Sequence, residues 1–389
     1  MNDMKSLKSA ISIFLVWLSM CATQANNTAR SEQPKSIRIA TYNVSLYGKV
    51  SGAVADRLKS GTDKQAKSIA AIIQTVRPDI LLLNEIDHDL DAKTVKLLRD
   101  AYLAIGKDDR EGIDYPFVYS AASNTGVISG MDLNRTGRSD EPEDAWGFGV
   151  YPGQYAFAVL SRYPIDVNAI RTFQTFAWAK LPGALRPTLP DTQAFYYSDE
   201  VWDALRLSSK NHVDVPVDLN GQTLHVLACH PTPPVFDGPE DRNGCRNHDE
   251  IAFWSHYLEN SAALVDDVGK AGGLSQDATF VIMGDLNSDP VDGGSRPGAI
   301  RTLLQHKRII DPLPQRVSGV EATPENERHD TADFGTVGEL RVDYVLPSSN
   351  LTVTEAKVFW PATGQKGSDW IHASDHRMVW IDALLPATR

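Results

Sequence analysis

Short apolar runs recur along this chain, and several of them end in a polar side chain. Phe280-Val281-Ile282-Met283 leads into Gly284-Asp285-Leu286-Asn287-Ser288-Asp289-Pro290. Bounded by Gly and Pro, that run predicts a buried strand from whose end Asp285 and Asn287 emerge. Their i, i+2 spacing on extended backbone points both side chains the same way. Ile80-Leu81-Leu82-Leu83 predicts a second buried strand, ending at Asn84-Glu85. Ile37 and Ile39 alternate with Arg38 and Ala40, a strand period that carries the inward face through Thr41 to Asn43. Tyr155 to Ser161 reads as another strand, closed by Tyr163-Pro164. Val213, Val215, Val217 and Leu219 recur at every second position, Asn220-Gly221 supplies a hairpin turn, and Leu224 and Val226 resume the period toward Cys229-His230. Arg341 to Leu346 predicts a strand with a carboxylate, Asp343, inside its apolar run, which is costly without a partner. Ser374-Asp375-His376 precedes a terminal strand, Met378 to Ile381.

Helical periods fill the intervals. Thr62 as N-cap with Gln65 makes a capping box, and Ile69, Ile73 and Val76 share one face before Pro78. A second helix is predicted from about Asp249 to Val268, with Ile251, Trp254, Leu258 and Val265 on one side. Residues 120–153 and 176–200 read as long loops. Within them, 146–151 and 173–178 are apolar enough to be exposed loop tips, although ordinary loop packing is the simpler expectation. No internal repeat appears, so one α/β domain is predicted from residue 37 to residue 389.

The first 25 residues stand apart. Lys5 and Lys8 precede the apolar stretch from Ala10 to Leu18, and Thr23-Gln24-Ala25 offers the small residues that a signal peptidase reads. This predicts an export signal, residues 1–25, then a polar leader, residues 26–36. The apolar run is too short for a stable membrane span. Lipid attachment at Cys21 is the less favoured variant, because Met20 is bulky for that cleavage. Export to the periplasm or beyond would leave Cys229 and Cys245 as the only thiols, in a compartment that permits a disulfide; one is expected between them.

Composition narrows the function. At 42% hydrophobic and 23% charged the chain is ordinary globular material. Its net charge of -12 argues against a sequence-independent polyanion binder, which would carry a basic face. No Cys or His cluster has zinc spacing.

Taken singly, Asn43 reads as a turn residue, Glu85 as a solvated strand end and His230 as a structural histidine. Several polar groups, each at a strand end, point instead to one site. The remaining histidines, His88, His212, His225, His248, His256, His306, His329 and His372, keep structural or surface roles. Thr41-Tyr42-Asn43-Val44, Leu83-Asn84-Glu85-Ile86, Ala158 to Ile165, Cys229-His230-Pro231, Gly284-Asp285-Leu286-Asn287, Arg341-Val342-Asp343-Tyr344 and Ser374-Asp375-His376 resemble, in order, the motifs of the endonuclease/exonuclease/phosphatase superfamily.

That resemblance implies a four-layered sandwich, two mostly antiparallel β-sheets face to face with helices outside. It implies metal ligation by Asn43, Glu85 and Asp375, and activation of water by Asp285 and Asn287. His376 would contact the phosphoryl group, Asp343 would hold that imidazole, and His230 would take a phosphate-contacting or acid role. Oxygen donors of this kind suit Mg2+, with Mn2+ or Ca2+ as alternatives. The expected activity is hydrolysis of a phosphodiester or phosphomonoester, on a small molecule or lipid headgroup rather than nucleic acid. A nuclease and a catalytically silent binding module of the same fold are the alternatives; the second would have lost at least one of these residues, and all are present.

Overall fold

A computed structural model describes residues 36–317 and 328–386. The export signal, Cys21 and the leader up to residue 35 lie outside the described residues. The strands are β1 Ser36–Leu46, β2 Ile80–Ile86, β3 Phe117–Ser120, β4 Phe157–Ser161, β5 Arg171–Thr172, β6 His212–Asp218 and β7 Thr223–Cys229. They continue with β8 Thr279–Asp285, β9 Gln315–Arg316, β10 Ala332–Asp333, β11 Glu339–Leu340, β12 Asp343–Pro347, β13 Thr352–Val358 and β14 Val379–Leu384. A seven-stranded sheet has the order β3-β4-β2-β1-β14-β13-β9, and a five-stranded sheet the order β12-β8-β7-β6-β5. β10 and β11 form a separate ribbon.

Most neighbouring strands are antiparallel, but β1–β2, β7–β8 and, at the sheet edge, β9–β13 are parallel. Parallel neighbours need a crossover. Helix α1 (Ala53–Leu58) and helix α2 (Lys64–Val76) lie in the first. After α3 (Lys93–Leu98) and α4 (Asp199–Ala204), helix α5 (Arg242–Leu258) makes the second. The carboxyl ends of β1 and β2 in one sheet, and of β7 and β8 in the other, therefore fall together, as crossovers of this kind dictate.

Side-chain alternation explains the layers. Val281 and Met283 of β8, Val226 and Ala228 of β7 and Val345 of β12 join the core that includes Leu81, Leu83 and Ile381 of the seven-stranded sheet. Phe280 and Ile282, Leu227 and Cys229, and Tyr344 and Leu346 point the other way, into a second core with Trp254 and Tyr257 of α5 and Ile300 of α6 (Gly298–Leu304). Strands buried on both faces read as continuous apolar runs rather than alternating ones. Ile69, Ile73 and Val76 pack α2 onto the first sheet's core. The result is helix, sheet, sheet, helix, the predicted sandwich.

Three expectations are corrected. The cap of α2 is Asp63, not Thr62: the Asp63 side chain accepts from the Ala66 N–H at 2.9 Å. Helix α5 starts at Arg242 and stops at Leu258, where Asn260 turns left-handed at φ 54° and binds the Gly273 N–H, so Val265 is not part of it. Cys229 and Cys245 are free buried thiols rather than a disulfide. The Cys229 sulfur accepts from the Trp254 indole N–H at 3.0 Å.

Candidate active site

The two crossovers deliver the site. Asn43 lies in β1 opposite Asn84, where the β1–β2 register shifts, and Glu85 near the end of β2, while His230 follows β7 and Asp285 ends β8. β12 runs antiparallel to β8 with Asp343 opposite Asp285. His376 comes just before β14, which is antiparallel to β1. Gly284 permits the closest approach: a Cβ there would meet the Cys229 carbonyl oxygen at 2.1 Å, and its φ is +148°. Glu85 and Asn287 take left-handed φ values of 57° and 51°. Asn tolerates this; for Glu85 it is strain, of order 1–2 kcal/mol, of the kind stored at functional sites.

Asp285 is the meeting point. Its Oδ2 accepts from the Asn43 amide at 3.0 Å and lies 3.5 Å from His230 Nε2 and 3.6 Å from His376 Nε2. Its Oδ1 accepts from the Asn287 backbone N–H at 2.9 Å. The Asn43 amide also donates to Glu85 Oε1 at 3.1 Å, and Glu85 Oε1 lies 4.0 Å from His230 Nε2. His376 Nδ1 binds Asp343 Oδ2 at 2.9 Å, an oxygen that also accepts from the Thr331 hydroxyl at 2.8 Å. The Asn287 amide donates to the Pro231 carbonyl at 3.1 Å. Seven of the eight predicted residues therefore converge. Asp375 stands at the rim, exposed, bonded to the Ser45 hydroxyl at 2.9 Å.

Electrostatics divides the roles. Burial alone would push the His376 imidazole down, but the charges of Asp343 and Asp285 hold it up at about 10, so it is an imidazolium at neutral pH. Burial would raise the Asp285 carboxyl, yet the His376 charge and the His230 contact hold it well below the usual carboxylate range. Burial pushes Asp343 up. Burial, then the nearby Lys210 charge, pushes His230 down; both of its ring nitrogens are buried without a hydrogen-bond partner.

Among the described residues, two groups of donor atoms could hold a cation: Glu85, His230 and Asp285, and Asp285, Asp343 and His376, each within 4.8 Å. The second carries an imidazolium already bonded to its carboxylate, which disfavours a metal there. At the first, Glu85 Oε1 and Asp285 are hard oxygen donors, and the unpartnered nitrogens of His230 show a polar position left open. The residues fit a divalent ion.

Sequence reasoning missed Lys210. Its side chain is buried, its Nζ donates to the same Pro231 carbonyl at 3.4 Å that binds Asn287, and burial holds its pKa down. Two polar residues of α5 tie the surrounding loops together. Glu250 accepts from Ser209 N (2.6 Å), Ser209 Oγ (2.9 Å) and Thr232 N (2.6 Å). Asn247 donates to the Thr232 and Leu286 carbonyls, each at 2.9 Å. The loops carrying Lys210, His230 and Asn287 are thus clamped to one helix.

Among solved structures, an endonuclease/exonuclease/phosphatase from Beutenbergia cavernae is similar, with a TM-score of 0.51 at 18% identity over 91% of this chain and 72% of that one. Sphingomyelinase C from Streptomyces griseocarneus (TM-score 0.48, 16% identity, 90% of this chain, 99% of that one) and truncated TDP2 from Caenorhabditis elegans (0.46, 14%, 90%, 98%) also match. No curated protein matches the chain. A family profile matches residues 40–376, and the chain belongs to the endonuclease/exonuclease/phosphatase family.

Proposed function

We propose that this chain is a secreted, metal-dependent phosphoesterase in which water, activated at Asp285, attacks a phosphoryl group in line. The observation that carries it is the Asp285 carboxylate, one oxygen of which sits among Asn43, His230 and His376 at 3.0, 3.5 and 3.6 Å. A carboxylate held so low is a weak base in the free protein. An anionic phosphoryl group resting on the His376 imidazolium would offset that positive charge and raise the affinity of Asp285 for a proton. The water oxygen then bonds to phosphorus as its proton passes to Asp285. The ester P–O bond breaks, and the departing alcohol oxygen takes a proton from solvent.

Asn287, fixed by Pro231 and by its own N–H to Asp285, orients the water. His376, held by Asp343, and the Lys210 ammonium complement charge on the phosphoryl oxygens. His230 contributes a neutral imidazole beside the phosphoryl group. Glu85 and Asn43, with Asp375 at the rim, would hold a divalent cation, Mg2+ by the hardness of these oxygens, which when bound neutralises charge on a phosphoryl oxygen. The net charge of -12 favours a small-molecule or lipid-headgroup ester over nucleic acid. The signal read in residues 1–25 supports export, which N-terminal sequencing of secreted protein checks.

The test is a panel of bis(4-nitrophenyl) phosphate, plasmid DNA, sphingomyelin and a phosphoinositide, with magnesium and with excess chelator. Hydrolysis of at least one ester that stops in chelator is expected. Full turnover in chelator, or none on any ester with metal, overturns the proposal.

A further inference from the structure

The ribbon of β10 and β11 belongs to neither sheet. Its paired stretch is only Ala332 and Asp333 against Leu340 and Glu339, far below the length at which a hairpin holds itself together. Its place is set by the segment around His376. The Arg377 N–H donates to the Thr331 carbonyl at 2.7 Å, the Asp333 N–H donates to the Asp375 carbonyl at 2.8 Å, and Ala332 bridges His376 in antiparallel register. The Phe334 ring meets the His376 imidazole in a T-shaped contact, with centroids 5.4 Å apart at 82°. The return leg is fastened as well. The Arg341 N–H donates to Asp289 Oδ2 at 2.7 Å, and its guanidinium binds Asp311 at 2.9 Å.

The ribbon brings Thr331 back beside the start of β12. The Thr331 side chain is fully buried, and its hydroxyl oxygen accepts from the Val342 N–H at 3.0 Å and the Asp343 N–H at 2.9 Å. A hydroxyl offers two acceptor positions and one proton. With both acceptor positions filled, the proton is directed at Asp343 Oδ2, 2.8 Å away.

That oxygen is the one His376 uses. Nδ1 of His376 binds it at 2.9 Å, whereas Asp343 Oδ1, also buried, has no hydrogen-bond partner among the described residues. The carboxylate is therefore held through one oxygen, by the imidazole it has to orient and by Thr331. Because Oδ2 already receives the Thr331 proton, it meets Nδ1 as an acceptor, and the proton between them sits on the ring. Without the hydroxyl, the carboxylate can turn about its Cβ–Cγ bond and carry the imidazole with it. The aim of His376 Nε2, 3.6 Å from Asp285 Oδ2, is then lost.

We propose that Thr331 is a positioning residue, which acts on the phosphoryl group only through Asp343 and His376. Its effect on turnover rests on the phosphoesterase reading above; its hold on the imidazole does not, and is read separately.

The test is a double-mutant cycle on bis(4-nitrophenyl) phosphate with magnesium. Thr331→Val, which keeps the shape and removes the donor, is expected to lower kcat by about ten- to a hundredfold, the scale of a hydrogen bond to a charged group, with KM within about twofold. Thr331→Ser, which restores the hydroxyl, should return kcat to within about threefold of wild type. In the Asp343→Ala protein, Thr331→Val should cost less than about twofold more. If Thr331→Val does not fold, Thr331→Cys, with only a weak thiol donor, takes its place under the same criteria. Undiminished kcat, no recovery in Thr331→Ser, or equal losses with and without Asp343 overturns the proposal. Proton NMR reads the imidazole without turnover: the wild type should show an exchange-protected ring proton that is missing from His376→Ala and lost or broadened in Thr331→Val. Its persistence in Thr331→Val, or its absence from the wild type, likewise overturns the proposal. If no ester is hydrolysed by the wild type, the phosphoesterase reading fails, and the NMR comparison alone decides the role of Thr331.

Discussion

Two Asp–His pairs sit on the five-stranded sheet and its neighbour, and only one is surrounded by chemistry. Asp343 and His376 meet at 2.9 Å at the end where the strands deliver their polar residues. Asp214 and His225 meet at 2.8 Å across the β6–β7 hairpin, toward the opposite end. The distances barely differ. Asp214 spends its second oxygen on the Tyr257 hydroxyl at 2.6 Å, inside a structural network that includes the Arg171–Asp266 ion pair at 2.7 Å. His376 faces a second carboxylate, Asp285, and Asp343 keeps one buried oxygen unpartnered. A groove of about 820 Å3 opens at the His225 pair, not at the His376 pair. Neither an Asp–His contact nor open volume marks the site; convergence of several polar groups on Asp285 does.

The largest separation between the pairs should appear in turnover. His376→Ala is expected to lower kcat by about a thousandfold, the scale of a lost transition-state donor, and His225→Ala to leave it within about twofold. Stopped-flow or steady-state rates on one chromogenic phosphodiester check both. Comparable losses in the two variants would erase the distinction. Lys210→Met should follow, at roughly ten- to a hundredfold in kcat with KM changed less, because its charge meets the phosphoryl oxygens most strongly in the transition state.

A smaller effect belongs to stability. His212, on the strand that also carries Asp214, is buried, bonded to Ser208 and to the Glu250 carbonyl, and pushed down to about 4 by burial. The folded protein keeps it neutral while the unfolded chain takes up a proton below about 6.5. Its contribution is therefore complete above pH 6.5 and lost as pH falls toward 4, by about 3 kcal/mol. Urea melts of wild type and His212→Gln at both pH values read it; equal pH slopes would remove the assignment. The smallest effect concerns the thiols. With Cys229 and Cys245 free, reductant should shift Tm by less than about 1 °C, and alkylation of both should await unfolding; a mass increase of two hydrogens on reduction would restore the disulfide.

Much of this was legible in the chain because the strands at the centre are buried on both faces. Continuous apolar runs such as Ile80 to Leu83 and Phe280 to Met283 marked them, and their polar ends marked Glu85 and Asp285. Asp343 was readable as a buried carboxylate in need of a partner. The start of α5 was not readable, since its first turns bury polar residues, Asn247, Asp249 and Glu250, which satisfy loops rather than pack a core. Asp249 alone accepts from the Trp178 indole and the Leu185 N–H, each at 2.6 Å. Apolar periodicity cannot report such a face. Lys210 lies in Ser208-Ser209-Lys210-Asn211 with no pattern around it, and only the clamp by Glu250 brings it to the site. The pattern at 146–151 is equally compatible with ordinary loop packing, and only the structure shows Phe148 half exposed there.

The central claim is that Asp285 activates the attacking water. It is tested most directly by measuring kcat for bis(4-nitrophenyl) phosphate with magnesium in wild type and in Asp285→Asn, alongside the dissociation constant of a non-hydrolysable phosphonate. The asparagine variant should lose about 10²–10⁴-fold in kcat while binding the phosphonate within about threefold of wild type. Near-normal turnover in that variant, in a protein that melts like wild type, would contradict it.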